Sequence, residues 1–222
     1  MLIEMPFPPG APKGGVLYFG FGEDAEAAKA SVDASLARGP KEISDDYVKG
    51  WAGYLASLEH LPKLRAEATD RGDLASMSAI NLKIMEDKTH AGALIASLSN
   101  PWGETAPADQ SQTGYKAVWP RDFFQVASAF LALEDAETAL AAYRYLPTVQ
   151  VTEETPGNSG VTGWFLQKTH VDGEIEWVAI QQDQTAMPIM LGWQLWQAGV
   201  LSDSEIAESY KTMLKPAADF LV

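Results

Sequence analysis

The 222-residue chain carries 30 Asp and Glu against 16 Lys and Arg, a formal charge of −14. So acidic a chain lacks the basic footprint that nucleic acid or an anionic membrane surface demands, while a neutral ligand stays open. With no Cys it can form neither a disulfide nor a thiolate metal site, and His60, His90 and His170 are too scattered in sequence for a histidine-rich metal centre.

Residues 1–14 are rich in Pro and Gly and predict no regular element. They lack the basic and apolar regions of a signal peptide, and no apolar run reaches the length of a membrane span. Residues 15–22, Gly-Val-Leu-Tyr-Phe-Gly-Phe-Gly, are β-branched and aromatic between glycines, which predicts a strand with no partner nearby. An Ala-rich helix over 23–37 follows, stopped by Arg38-Gly39-Pro40. Ser44-Asp45-Asp46 can cap a second helix that carries Tyr47, Trp51, Tyr54, Leu55 and Leu58 at helical spacing. Pro62 and then Asp70-Arg71-Gly72-Asp73 mark a break, taken as a domain boundary.

The next helix is expected over 74–89, with Met77, Ile80, Leu82, Ile84 and Met85 as its apolar positions. Ser97 to Gly114 is a polar, Pro-containing loop of a length usually tied to function or disorder. Helices near 122–133 and 136–146 precede a hairpin with arms 161–167 and 174–180 about a turn at Val171-Asp172-Gly173. Helices 182–198 and 203–221 close the chain. Short loops between helices predict an all-α array of helical hairpins, without a strict internal repeat.

The chemistry gathers at Tyr115-Lys-Ala-Val-Trp119-Pro-Arg121-Asp122. Two aromatic rings and an Arg-Asp pair fall within eight positions, where loop gives way to helix. An aromatic ring can lie against the apolar face of a sugar, and a guanidinium and a carboxylate together donate to and accept from adjacent hydroxyls. The same residues equally suit a helix cap beside a core Trp. Trp102, Tyr115 and Trp119 sit in turn-rich stretches, as rings lining a cleft do.

Other constellations are weaker. There is no Gly-x-Ser-x-Gly elbow, and Gly20-Phe21-Gly22 is too short for a dinucleotide fingerprint. Glu86-Asp87-Lys88-Thr89-His90 reads as an exposed, salt-paired helix end rather than a metal site. Glu174 and Glu176 share one face of a strand and could reach one sugar, but they read first as a solvated hairpin edge. Asp183 reads as a helix N-terminal charge or a hydroxyl acceptor. No carboxylate pair stands out as acid and base.

Residues 73–222 resemble the start of the catalytic domain of the glucoamylase and glucodextranase family of glycoside hydrolases, its bacterial branch in particular. The resemblance rests on Tyr115 to Asp122 and on Trp177-Val-Ala-Ile-Gln181-Gln-Asp183, with Lys83 to Ser97 and Asn100-Pro-Trp-Gly103 upstream in the family's order. It implies a mainly α fold: a partial (α/α)6 barrel of helical hairpins, with a short β segment at the N-terminus and a small β-hairpin near 161–180. The implied domains are the tail of a β-sandwich domain (1–22), a helical linker (23–72) and the N-terminal half of the glycosidase barrel (73–222).

By the same resemblance the parent protein is an exo-acting, inverting α-glucosidase that takes α-glucan or oligosaccharide ends into a blind pocket. Tyr115, Trp119, Arg121 and Asp122 would line the terminal-glucose subsite, Trp177 would pack near the scissile bond, and Gln181 and, more loosely, Asp183 would support them. The family's general acid belongs to a Trp-Glu-Glu type segment beyond Val222 and its base lies further on. The chain is therefore expected to hold no catalytic carboxylate, to be inactive alone, and to have the missing C-terminal half of the barrel as its partner. No cofactor is expected: calcium occurs in some relatives, but no ligand cluster commits this chain to it. Family members are exported to the periplasm or exterior, which would put a signal peptide upstream of Met1. A dextran α-1,6-glucosidase or a trehalase is the rival within the class, and a non-catalytic sugar-binding or regulatory protein the rival outside it.

Overall fold

The computed structural model describes residue 10 and residues 15–99, 114–158 and 160–222. Trp102 and the Asn100–Gly103 segment lie outside the described residues. The chain divides into two units, Met1–Tyr54 and Leu55–Val222.

In the first unit α1 spans Ala25–Arg38 and α2 spans Pro40–Ser57, running on into the second unit. The Asp24 side chain caps α1 by accepting from the Ala27 N–H at 2.8 Å. Gly39, at φ 81°, ends α1, and Pro40 opens α2 at once, because a proline at the first helical position loses no hydrogen bond. The start expected at Ser44 is therefore four residues late. Residues 15–22 form no strand. They pass close over α1 instead: a Cβ on Gly20 would lie 2.0 Å from the Ala28 carbonyl oxygen. Among the described residues no strand lies beside this β-prone sequence to accept its N–H groups. The N-terminal β segment is thus not found among the described residues.

The second unit opens with α3, Leu61–Glu67, which the sequence reading missed. Pro62 sits in its first turn, where a missing N–H costs nothing, so it marks a helix start rather than a break. Helix α4 covers only Asp73–Ile84. Beyond it the chain turns back, Glu86 bridging to Leu94, while Asp87 Oδ1 accepts from the N–H groups of Thr89 (2.9 Å) and His90 (2.7 Å). The 86–90 run is an Asx-type turn, not a helix end.

Helix α5 spans Pro120–Ala132 and α6 spans Ala136–Tyr145, followed by a 3₁₀ turn at Leu146–Val149. Helix α7 spans Gln182–Gln197, and α5, α6 and α7 pack mutually. Phe123, Ala127 and Phe130 recur along one face of α5 and are buried against the core with Leu146, Phe165, Leu191 and Leu195. The single helix expected over 203–221 is three segments: α8 (Asp203–Ser209), a π-helical turn (Tyr210–Leu214) and α9 (Lys215–Leu221). Pro216 has no N–H to return to the preceding turn, and a π turn immediately before it accommodates the lost bond.

The hairpin is smaller than expected. Strands β1 (Lys168–Thr169) and β2 (Ile175–Trp177) pair antiparallel about the predicted turn. Residues 161–167 do not extend β1. Their backbone bonds go to residues 149–151: Val151 N–H donates to Trp164 O (2.8 Å), Gly163 N–H to Val151 O (2.8 Å) and Leu166 N–H to Val149 O (3.3 Å).

Candidate functional site

Three segments converge at the N-terminus of α5. Trp119, in extended conformation (φ −115°, ψ 117°), is the N-cap residue of that helix, and Pro120 fixes the first turn. One residue before it, Val118 exchanges both backbone bonds with Thr169 of β1 (2.9 and 3.1 Å). Across the hairpin, Lys168 is the register partner of Trp177. The α5 entrance and the hairpin thereby bring Trp119 and Trp177 together from 58 positions apart in sequence. Their ring centroids are 5.4 Å apart at an interplanar angle of 77°, an edge-to-face pair worth about 0.5–1.5 kcal/mol beyond its buried area. Tyr115 adjoins Trp119 at 6.3 Å, and the Trp119 indole N–H donates to Gly114 O at 3.4 Å. Tyr115 and Trp177 are more than a third exposed, so the aromatic cluster faces outward.

In the first turn of α5, two residues after Trp119, Arg121 donates from Nε to Asp183 Oδ2 at 2.6 Å and from Nη2 to Gln181 Oε1. Gln181 Oε1 also accepts from Nε2 of the buried Gln184 at 2.7 Å. The hydrogen bond and charge of Arg121 hold the Asp183 carboxyl below its ordinary pKa, and Asp183 in turn raises that of Arg121. The cation–anion pair of this site is thus Arg121–Asp183, not the sequence neighbours Arg121 and Asp122. Asp122 stands exposed in the first turn of α5, contributing charge near Arg121. Adjacent residues on a helix point in different directions, whereas Asp183 arrives from the start of α7.

Beneath the indoles lies a pair that the sequence reading did not select. Lys168 is 1% exposed, and its ammonium pairs with Glu176, itself 9% exposed at the side chain. Lys168 Nζ sits 5.1 Å from the Trp177 ring centroid and 5.7 Å from that of Trp119. His170 Nε2 approaches the other Glu176 oxygen at 3.7 Å. Glu176 is therefore no solvated edge residue, while Glu174 is exposed as expected. The missed signal was opposite charge on the two arms of a short hairpin, Glu176 lying next to Trp177, the register partner of Lys168.

The predicted residues thus fall into two contacting groups at the entrance of α5, Tyr115–Trp119–Trp177 and Arg121–Gln181–Asp183, with Asp122 exposed beside the second. Chemically the site offers aromatic faces and a guanidinium held in fixed orientation. It offers no pair of free carboxylates, since Glu176 and Asp183 are both engaged by cations.

The sequence profile of glycosyl hydrolases family 15 matches residues 69–222, and that of the glucodextranase domain N matches residues 2–56. The chain is 35% identical over 207 residues to a glucoamylase of Clostridium sp. (strain G0005), a match covering 93% of this chain and 26% of that protein. Its fold matches the crystal structure of a bacterial glucoamylase complexed with acarbose, with a TM-score of 0.72 and 31% identity over 90% of this chain and 26% of the other. The chain belongs to glycosyl hydrolases family 15. Its helical architecture is part of an (α/α)6 barrel of the glucoamylase kind, and it spans about a quarter of the length of the relatives it matches.

Proposed function

We propose that the chain is part of an exo-acting, inverting α-glucosidase and supplies the subsite that grips the terminal glucose of an α-glucan. One observation carries the reading: the entrance of α5 presents both the edge-to-face Trp119–Trp177 pair and, two residues after Trp119, a guanidinium oriented by two acceptors, Asp183 and Gln181. Rings supply the stacking surface. A guanidinium fixed before the ligand arrives loses little freedom on binding, and charge-assisted bonds to hydroxyls reject sugars that lack them. In this reading Tyr115, Trp119, Arg121, Asp122, Trp177 and Gln181 contact or order the terminal sugar. The general acid and base belong to the remaining part of the barrel, which the chain would meet as partner.

With acid and base absent, each worth about 10²–10⁴-fold in rate, the chain alone is expected to release no glucose. Incubation with maltose, isomaltose and soluble starch tests this, and enzyme-like glucose release would sink it. Acarbose, the ligand in the glucoamylase crystal structure, should bind saturably; a flat calorimetric titration would remove the subsite reading. A second reading, a sugar-binding protein without catalysis, is favoured by the engagement of Glu176 and Asp183 with cations. A coding sequence that continues past codon 222 into a Trp-Glu-Glu segment excludes it.

A further inference from the structure

We propose that the buried Lys168–Glu176 pair is the positioning device of the site, holding the Trp119 and Trp177 rings in their mutual geometry from below. The proposal concerns the same surface as the function proposed above and rests on it for the ligand only.

Burying a lysine and a glutamate removes both from water, and such pairs are as a rule no more stabilising than apolar residues of the same volume. Stability therefore does not account for this one, and its placement does. One ammonium stands within cation–π range of both indoles, at 5.1 Å and 5.7 Å from their centroids. The two rings come from different elements, Trp119 from the entrance of α5 and Trp177 from β2, so no backbone continuity fixes their angle. A shared cation does: turning either ring away from the ammonium loses a contact. Glu176 pins the ammonium from the opposite strand, and β1–β2 register places Lys168 opposite Trp177. Lys168 is 1% exposed, so it acts through the rings and not on a ligand.

Two indoles this close couple their excited states, giving a circular-dichroism couplet near the indole band whose amplitude depends on their mutual angle. Trp119–Trp177 is the Trp–Trp contact found among the described residues, and the Trp119→Phe variant assigns the couplet to it. The decisive comparison sets the unmodified chain against the Lys168→Met/Glu176→Leu double variant, which removes both charges at similar volume, and against Glu176→Gln, which keeps the ammonium and offers it a neutral acceptor.

The double variant should melt within a few degrees of the unmodified chain, lose most of the couplet and bind acarbose about ten-fold more weakly. Glu176→Gln should keep both signals. The proposal is overturned if the double variant retains couplet and affinity, if it fails to fold, which would make the pair a stability element, or if Glu176→Gln loses as much as the double variant. Should the unmodified chain bind no acarbose, the subsite reading falls, while the couplet still decides the positioning role.

Discussion

Replacing Arg121 with methionine separates a binding role from a structural one. The Arg121 and Asp183 side chains are 44% and 46% exposed, so their 2.6 Å contact is screened by water. Discounted accordingly, it contributes about 0.2–1 kcal/mol to folding, a fall of no more than about 4 °C in Tm for a chain of this size. The sign with pH is fixed by Asp183, whose folded pKa lies below its ordinary 3.8 because Arg121 favours the carboxylate. A lowered folded pKa stabilises above the unfolded value, and that stability is lost as pH falls through the folded one. The small stability gap between Arg121→Met and the unmodified chain should thus be present at pH 7 and close under acid, below the usual carboxylate range. Binding should respond differently. Each charge-assisted hydrogen bond to a hydroxyl is worth about 1.5–3 kcal/mol, so losing one should raise the Kd for acarbose about 10- to 150-fold. Calorimetric titration and thermal melts on the same samples read both quantities. A Tm loss of 10 °C or more with unchanged affinity, against the few degrees expected here, would refute the reasoning and make Arg121 a scaffold residue.

Three further outcomes follow from the packing. Gly163→Ala should destabilise the chain by about 2 kcal/mol or more in urea unfolding, because Gly163 sits at φ 94° and the added Cβ would lie 2.1 Å from the Pro216 carbonyl oxygen. Phe130→Ala should cost about 3–5 kcal/mol in the same assay, since its fully buried ring would leave a cavity in the core around α5, α6 and α7. Burial pushes the Tyr145 hydroxyl from 10 up to about 12, so folding favours its neutral form; that stability is complete below pH 10 and lost as pH rises towards 12. Tyr145→Phe should therefore unfold less steeply than the unmodified chain in alkaline titration, and parallel curves would exclude Tyr145 as a contributor.

What the sequence determined was local. Arg38-Gly39-Pro40 reads as a helix stop, and α1 ends there with Gly39 at φ 81°, because the residues involved are neighbours. Asp135 caps α6 and the apolar face of α5 follows helical spacing for the same reason: the partners lie within a turn or two. The motif residues of the site were also legible, each as a chemical type suited to a sugar. What only the tertiary structure decided was which of them meet. Arg121 takes its partner from 62 residues away rather than from Asp122, Trp119 meets Trp177 through a bridge between Val118 and Thr169, and a lysine that composition alone would place on the surface lies beneath both rings. Residues 161–167 likewise pair with residues 149–151 instead of extending the hairpin. In each case a short-range pattern offers several partners of comparable strength, and the choice falls to the packing of elements far apart in the chain, which fixes distances that no sequence window contains.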